Sequence, residues 1–156
     1  MCGSPKRRAG CQFGQRGQAL VEFALVLPLL LIVLFMVVDF GVGLTRWIAI
    51  TNAAREGARL GAVGAAEGAI RQKVVDTSDG ILSDGDIQVG FFDADGSGDV
   101  DPGDSVVVDV DYDYSLITPL GRFITVTFDP LTLSACSDMR LEQANGQGAG
   151  GPQGCD

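Results

Sequence analysis

Hydrophobic and polar positions fall into three regimes along this chain. Residues 18–40, QALVEFALVLPLLLIVLFMVVDF, are almost continuously apolar, and nothing from Phe23 to Val38 is charged. A helix needs about 20 such residues to cross a bilayer. A spanning helix therefore takes in Glu22 at one end or Asp39 at the other. Pro28 lies inside the run, a position that membrane helices tolerate. Residues 44–63, LTRWIAITNAAREGARLGAV, keep the helical period with a sparser apolar side. Leu44, Ile48 and Ala54 or Ala58 recur on it, while Arg55 and Arg59 share another face. A continuous helix over 18–63 measures about 69 Å at 1.5 Å per residue. That exceeds the roughly 40–45 Å of a whole bilayer. Its outer half must stand beyond the membrane or pack on a head. Ala53, Ala54, Gly57, Ala58, Gly61 and Ala62 permit close approach of another element. Two readings follow: a core of small residues with Arg55, Glu56 and Arg59 solvated, or a contact with another subunit.

The third regime has shorter periods. Gly64 to Gly68 breaks the helix, and Ala69–Ser78 predicts a short amphipathic helix with Ile70, Val74 and Val75 inward. IQVGFF alternates at Ile87, Val89 and Phe91. SVVVDVDYDYSL places Val106, Val108, Val110, Tyr112 and Tyr114 on one face. Val107, Asp109, Asp111 and Asp113 take the other. RFITVTF (122–128) and LTLSACSDMRLE (131–142) predict two more strands. The fold class is α+β: a long N-terminal helix, a short helix and a small antiparallel sheet of about four strands. One side of the sheet is apolar and the other acidic, and the two helices are the available cover. The boundaries are a leader at 1–17, the long helix at 18–63, a head at 64–142 and a tail at 143–156. The tail's glycines predict disorder.

Charge orients the chain. The formal net charge is −9. Residues 1–17 hold Lys6, Arg7, Arg8 and Arg16 with no acid, and the remainder holds seven bases against twenty acids. A basic tip before an apolar run is the signal for a cytoplasmic N-terminus. The acidic remainder argues against nucleic acid. A secretory signal peptide has an apolar core of only about 7–15 residues and a small-x-small cleavage site, unlike this run. A plain single-pass anchor leaves Glu22 as a snorkelling charge. A pilin-type leader explains more. A cut between Gly17 and Gln18 makes Gln18 the first residue and Glu22 the fifth. The new amino terminus and a carboxylate one turn in can pair between neighbouring subunits, which removes much of the penalty of charge in a low dielectric.

Further residues extend that pattern. Glu22-Phe23, Asp39-Phe40 and the run from Asn52 to Arg59, which includes Arg55, Glu56 and Gly57, resemble the TadE-like family of the tight-adherence (Tad, or Flp) pilus system. The resemblance covers residues 16–64. It implies a pseudopilin-like protein of the cytoplasmic (inner) membrane, with other Tad components as partners and a prepilin peptidase as its processing enzyme. The head would then be periplasmic or otherwise extracytoplasmic.

One chemical motif lies outside that resemblance. DADGSGDVDPGD, Asp93–Asp104, has the oxygen spacing of an EF-hand or dockerin-type calcium loop. The ligand positions are Asp93, Asp95, Ser97, Asp99 through its backbone, Asp101 and Asp104, with Gly98 at the turn. The flanks read as strands, and Asp104 is shorter than the usual Glu. The other reading is an acidic hairpin loop. Cys136 and Cys155 can form a disulfide on the extracytoplasmic side, or remain a small buried residue and a tail thiol. Cys2 and Cys11 belong to the leader. The chain has no histidine, which removes His-based triads and most catalytic zinc sites. No phosphate-binding glycine loop is present, so no enzyme is read here. The functional expectation is a minor pseudopilin or assembly factor. The alternatives are a membrane-anchored, calcium-dependent binding module outside any pilus and, third, a secreted domain.

Overall fold

The computed structural model describes residues 13–119, 121, 131–144, 146, 148–152, 154 and 155. Helix α1 spans Phe13–Ala62 without interruption, passing through Pro28. It starts before the expected first residue, so the Gly17–Gln18 bond lies inside its first turns. Gly64, at φ +87°, ends it: the left-handed conformation lets the Gly64 amide turn back to the Gly61 carbonyl at 2.9 Å. Helix α2, Glu67–Thr77, follows. It stops at Ser78, whose hydroxyl donates to the Val75 carbonyl at 2.8 Å and accepts from the Leu82 amide at 3.2 Å. Asp79 and Gly80, both at positive φ, turn the chain.

Three strands follow among the described residues: β1 (Ile87–Phe92), β2 (Ser105–Tyr114) and β3 (Leu131–Arg140). They form one antiparallel sheet in the order β1-β2-β3. In register, Val89 faces Val108, which faces Ser137. The strand expected at RFITVTF lies outside the described residues, as does the leader before Phe13 with Cys2 and Cys11. The alternation along β2 holds: Val106, Val108, Val110 and Tyr114 are buried, while Asp111 and Asp113 are exposed.

The core sits between the sheet and the outer half of α1. Ile50, Ala53, Ala54 and Ala58 of α1 meet Ile70 and Val74 of α2, and Val106, Val108 and Val110 of β2. The small residues are therefore core. A Cβ on Gly57 would run into the Val74 side chain, and one on Gly61 would lie 2.8 Å from Val106 Cγ2. Bare helix backbone is what lets α2 and β2 approach α1 this closely. Arg55 and Arg59 are exposed and Glu56 half-exposed, with a loose Arg59–Glu56 ion pair at 3.8 Å. At that exposure it contributes at most a few tenths of a kcal/mol, about 0.3. Arg71 supplies a link that spacing did not reveal. Its Nε donates to Glu67 at 2.9 Å, and its Nη1 reaches the Asp84 and Ile87 carbonyls, fastening α2 to the start of β1.

The tail differs from expectation. Gly150 pairs with Phe91 along the open edge of β1, with bonds of 2.8 and 3.0 Å. Pro152 then sits on Gly90, where a Cβ would lie 2.5 Å from its carbonyl oxygen. A Cys136–Cys155 disulfide ties the tail to β3, with the two Cα atoms 5.5 Å apart. Gly90, Val107 and Asp138 share the outer face of the sheet. Val107, beside Gly90 on this face, is completely buried although it stands outside the main core. A composition rich in glycine predicts disorder for a free segment, and this one is held by a covalent bond and an edge pairing.

Gly57→Ala tests the close approach. The methyl gains about 1 kcal/mol of helix propensity, but overpacking a filled core costs typically about 1–3 kcal/mol. Val74 is fully buried and has no room to retreat. The variant should melt lower than the parent; a higher melting temperature would show that the α1–α2 contact is loose.

Candidate functional site

Three groups of functional residues were expected along the chain, and they occupy three levels of the molecule. The first is the N-terminal end of α1. Gly17, Gln18 and Glu22 are exposed, and a Cβ on Gly17 would meet nothing within 4 Å. Packing therefore gives no reason for glycine at 17. The Gln18 side-chain amide donates to Glu22 Oε1 at 3.1 Å, one turn apart. From there the exposed surface of α1 is apolar, with Leu25, Leu29, Val33 and Val37 all more than half exposed. The helix is long and apolar enough to cross a membrane, and among the described residues none in its most apolar window is buried.

The second level is Asp39, expected from sequence only as part of the helix pattern. It is buried at 7% exposure. Its Oδ1 accepts the amides of Ile117 and Thr118, each at 3.1 Å. Its Oδ2 accepts the Thr118 hydroxyl, which in turn accepts the Gly121 amide at 3.1 Å. The Tyr114 hydroxyl donates to the Asp39 backbone carbonyl at 3.1 Å. The carboxylate thus holds the loop after β2 against α1, some 75 residues away along the chain. Alternation placed Tyr114 on the inner face, but no local signal paired it with Asp39.

Residues 17–59 match the family model described as TadE-like protein. The resemblance read over 16–64 is thereby shown over 17–59. No curated protein and no solved structure matches the chain. The TadE-like segment lies wholly within α1. It begins at the expected cleavage glycine and ends at Arg59. It contains Glu22, Asp39, Asn52, Arg55, Glu56 and Gly57. Of these, Asp39 and Gly57 face the head, while Glu22, Asn52, Arg55 and Arg59 face outward. The head beyond the TadE-like helix lies outside the match.

The third level is the loop between β1 and β2. Ligand oxygens of Asp93, Asp95 and Asp104 lie within 4.8 Å of one another. Asp93 Oδ1 accepts the amides of Asp95 and Gly96, and its Oδ2 accepts that of Gly98 at 2.7 Å. Asp104 is buried, and accepts the Ala94 and Asp101 amides at 3.0 and 2.7 Å. Gly96 and Gly98 take φ of +74° and +91°, which lets the amides turn inward. The Ser97 hydroxyl lies 3.1 Å from the Asp99 carbonyl, the two atoms expected as neighbouring ligands. Asp99 contributes no side-chain oxygen to the cluster, and the Asp101 carboxylate stands outside it. Asp93 Oδ1 spends both lone pairs on amides, but Asp93 Oδ2, Asp95 Oδ1 and the two Asp104 oxygens accept one bond each and keep a second lone pair. Those oxygens fit a hard cation that takes oxygen ligands.

Donation by the Gly98 amide, helped by Gly96 and Ser97, holds the Asp93 carboxyl below the usual carboxylate range, against a smaller opposing effect of burial. A depressed value in the folded state stabilises the loop above the ordinary Asp range. That contribution disappears as pH falls through the depressed value. On the outer face the signs reverse: burial, then the charge of Asp111, pushes Asp109 up. Its contribution is greatest in acid and is lost as pH rises through the raised value.

Asp39→Ala should release the loop after β2. Three donors would lose their acceptor, at a cost of about 1–3 kcal/mol for each that stays buried and unpaired. The measurement is hydrogen exchange of the Ile117 and Thr118 amides with denaturant unfolding of the same protein. Unchanged protection at both amides would show that the loop is held by packing alone.

Proposed function

We propose that the chain is a membrane-anchored pseudopilin or assembly factor of a Tad-type pilus. It is cut between Gly17 and Gln18 by a prepilin peptidase, with its N-terminus cytoplasmic and its head outside the cytoplasmic membrane. The role is one of assembly, with other pilus components and pseudopilins as partners, and involves no catalysis. The observation that carries this reading is the TadE-like match on a single helix. That helix presents Glu22 on an otherwise apolar surface, where its hydrogen-bond partner among the described residues is Gln18. A carboxylate near the hydrocarbon boundary costs a few kcal/mol, roughly 2.5–3.5 at the centre and less at the ends. A neutral amide offsets only part of that. An amino terminus freed by the cut, on an adjacent subunit, offsets more.

Processing and assembly are separable by mutation. Gly17→Val should leave the fold intact, because a Cβ at Gly17 would meet nothing within 4 Å among the described residues. It should accumulate uncut precursor in membranes, read by mass, in cells that hold the peptidase. Glu22→Ala should be cut normally yet fail to co-purify or crosslink with pilus partners. A Gly17→Val chain of mature mass refutes the cleavage site. Equal association of Glu22→Ala and the parent refutes the assembly role.

A second reading applies to the loop at 93–104, and Asp93, Asp95 and Asp104 favour it by their convergence. The loop is proposed to bind calcium, with Ser97 and the Asp99 carbonyl completing the set. Calcium relieves repulsion among the aspartates and braces the link between β1 and β2. Extracellular calcium modules bind at about 10⁻⁴–10⁻³ M, and a few-fold excess over Kd stabilises a fold by about 1 kcal/mol. The full-length protein in detergent should therefore melt a few degrees higher in millimolar calcium than in chelator. Magnesium should do less, since it demands tighter octahedral geometry. Asp93→Ala with Asp95→Ala should remove the difference. Equal melting of the parent in both, with no heat of binding, leaves a self-bonded acidic turn.

A further inference from the structure

The spanning helix ends at a level that the head also reaches. A hydrocarbon layer about 30 Å thick takes 20 residues of helix at 1.5 Å each. Counted from the charge of Glu22, it extends to about Val42. Asp39 lies inside that limit. Its carboxylate meets no lipid, because the head loop supplies all its bonds. One side of α1 stays apolar beyond it, through Phe40, Leu44, Trp47 and Ile48, while exposed Thr45 and half-exposed Arg46 stand on the other flank. The Ile117 amide is bonded to Asp39 itself, so Ile117 stands at the same depth as residue 39. Its side chain is 59% exposed, and that of nearby Leu131 is 54% exposed.

Between these two surfaces runs an open groove of about 510 Å³. Met36, Phe40, Leu44 and Trp47 line it from α1, and Leu116 and Leu133 from the head. A second groove on the other flank of α1 runs from Val37, Val38 and Val42 to the polar Thr45, Arg46 and Asp79, so the apolar groove is confined to the Trp47 side. The Ile117, Thr118 and Gly121 amides at this level are bonded internally through Asp39 and Thr118, as a hydrocarbon environment requires. Trp47 and Tyr114 are the residue types that favour a membrane–water interface.

We propose that the lower end of the head, residues 115–118 with Leu131, is seated in the outer leaflet, and that an acyl chain of a membrane phospholipid fills the groove beside Trp47. The head is strongly acidic, so attraction to anionic headgroups contributes nothing, and the contact is apolar. This inference rests on the membrane-spanning reading of α1. It adds that the head docks on lipid through a surface of its own, which orients the head relative to the bilayer.

Trp47 is the chain's single tryptophan, which provides the test. The full-length protein is reconstituted in vesicles of phosphatidylcholine brominated on its acyl chains. Three further proteins carry Trp47→Phe with one new tryptophan each: Leu30→Trp in mid-span, Ile117→Trp on the proposed surface and Phe92→Trp at the far end of the sheet. Leu30 and Ile117 are more than half exposed and Phe92 is 38% exposed, and a melting curve of each variant checks that it folds. Trp47 and Ile117→Trp should lose emission to the brominated chains, as Leu30→Trp does, and resist aqueous acrylamide. Phe92→Trp should behave oppositely. If Ile117→Trp keeps its emission and yields to acrylamide while Leu30→Trp is quenched, the head stands clear of the bilayer and the proposal fails. If Ile117→Trp resists both quenchers until the protein is diluted with lipid, a second copy covers the groove, which also overturns it. If Leu30→Trp itself is unquenched, the spanning reading has failed, and the docking proposal falls with it.

Discussion

Asp39 is the interaction on which the arrangement of helix and head depends. A carboxylate after sixteen uncharged residues is expensive wherever it points, unless donors surround it. The chain supplies them from one loop: two amides and a hydroxyl on the carboxylate, and a tyrosine hydroxyl on the same residue's carbonyl. The result joins residue 39 to residues 114–121. It also removes a charge from the exposed surface of α1, so the apolar band continues past the point where composition alone would end it. Low dielectric strengthens such a network, and makes any missing member costly.

One helix serves two environments by changing the size of its side chains. Its first half carries Leu, Val, Ile and Phe outward, and none of the described residues in the most apolar stretch is buried. Its second half turns Ala53, Ala54, Gly57, Ala58 and Gly61 toward α2 and β2. Large residues suit a solvent of lipid tails. Small ones suit close approach of protein backbone. The polar residues of the second half, Asn52, Arg55 and Arg59, stay on the remaining face. In the pilus reading they are the part of the matched segment left free for a partner.

The head's two acidic features are handled differently. In the loop at 93–104, backbone amides turned inward by two glycines already satisfy Asp93 and Asp104. A cation would add to an existing framework. On the outer sheet face, Asp109 is partly covered and its carboxyl is pushed up. The tail strap crosses that face to reach Cys136, and it also occupies part of the edge of β1. An edge strand presents unpaired backbone groups to other chains, and covering one limits that exposure.

Much of this protein is legible in sequence because its strongest signals are local. An uncharged run of sixteen residues, a strict alternation along β2 and glycine at the turns each depend on neighbours a few positions away. They specified the long helix, the α+β class and the helical cover of the sheet. The pattern from Glu22 to Arg59 was enough to mark the TadE-like segment. The oxygen spacing marked Asp93, Asp95 and Asp104, which converge, along with Asp101, whose carboxylate does not join them. Contacts between distant residues were not legible. Nothing near Asp39 in sequence indicates Thr118, and nothing near Gly90 indicates Pro152. Period could not choose between a core and a subunit contact for the small residues of α1, since both need the same side-chain size. Tertiary packing decided that, because Val74 and Val106 lie against Gly57 and Gly61. It also decided the tail: composition describes a free chain, whereas a disulfide and an edge pairing give this one a fixed path.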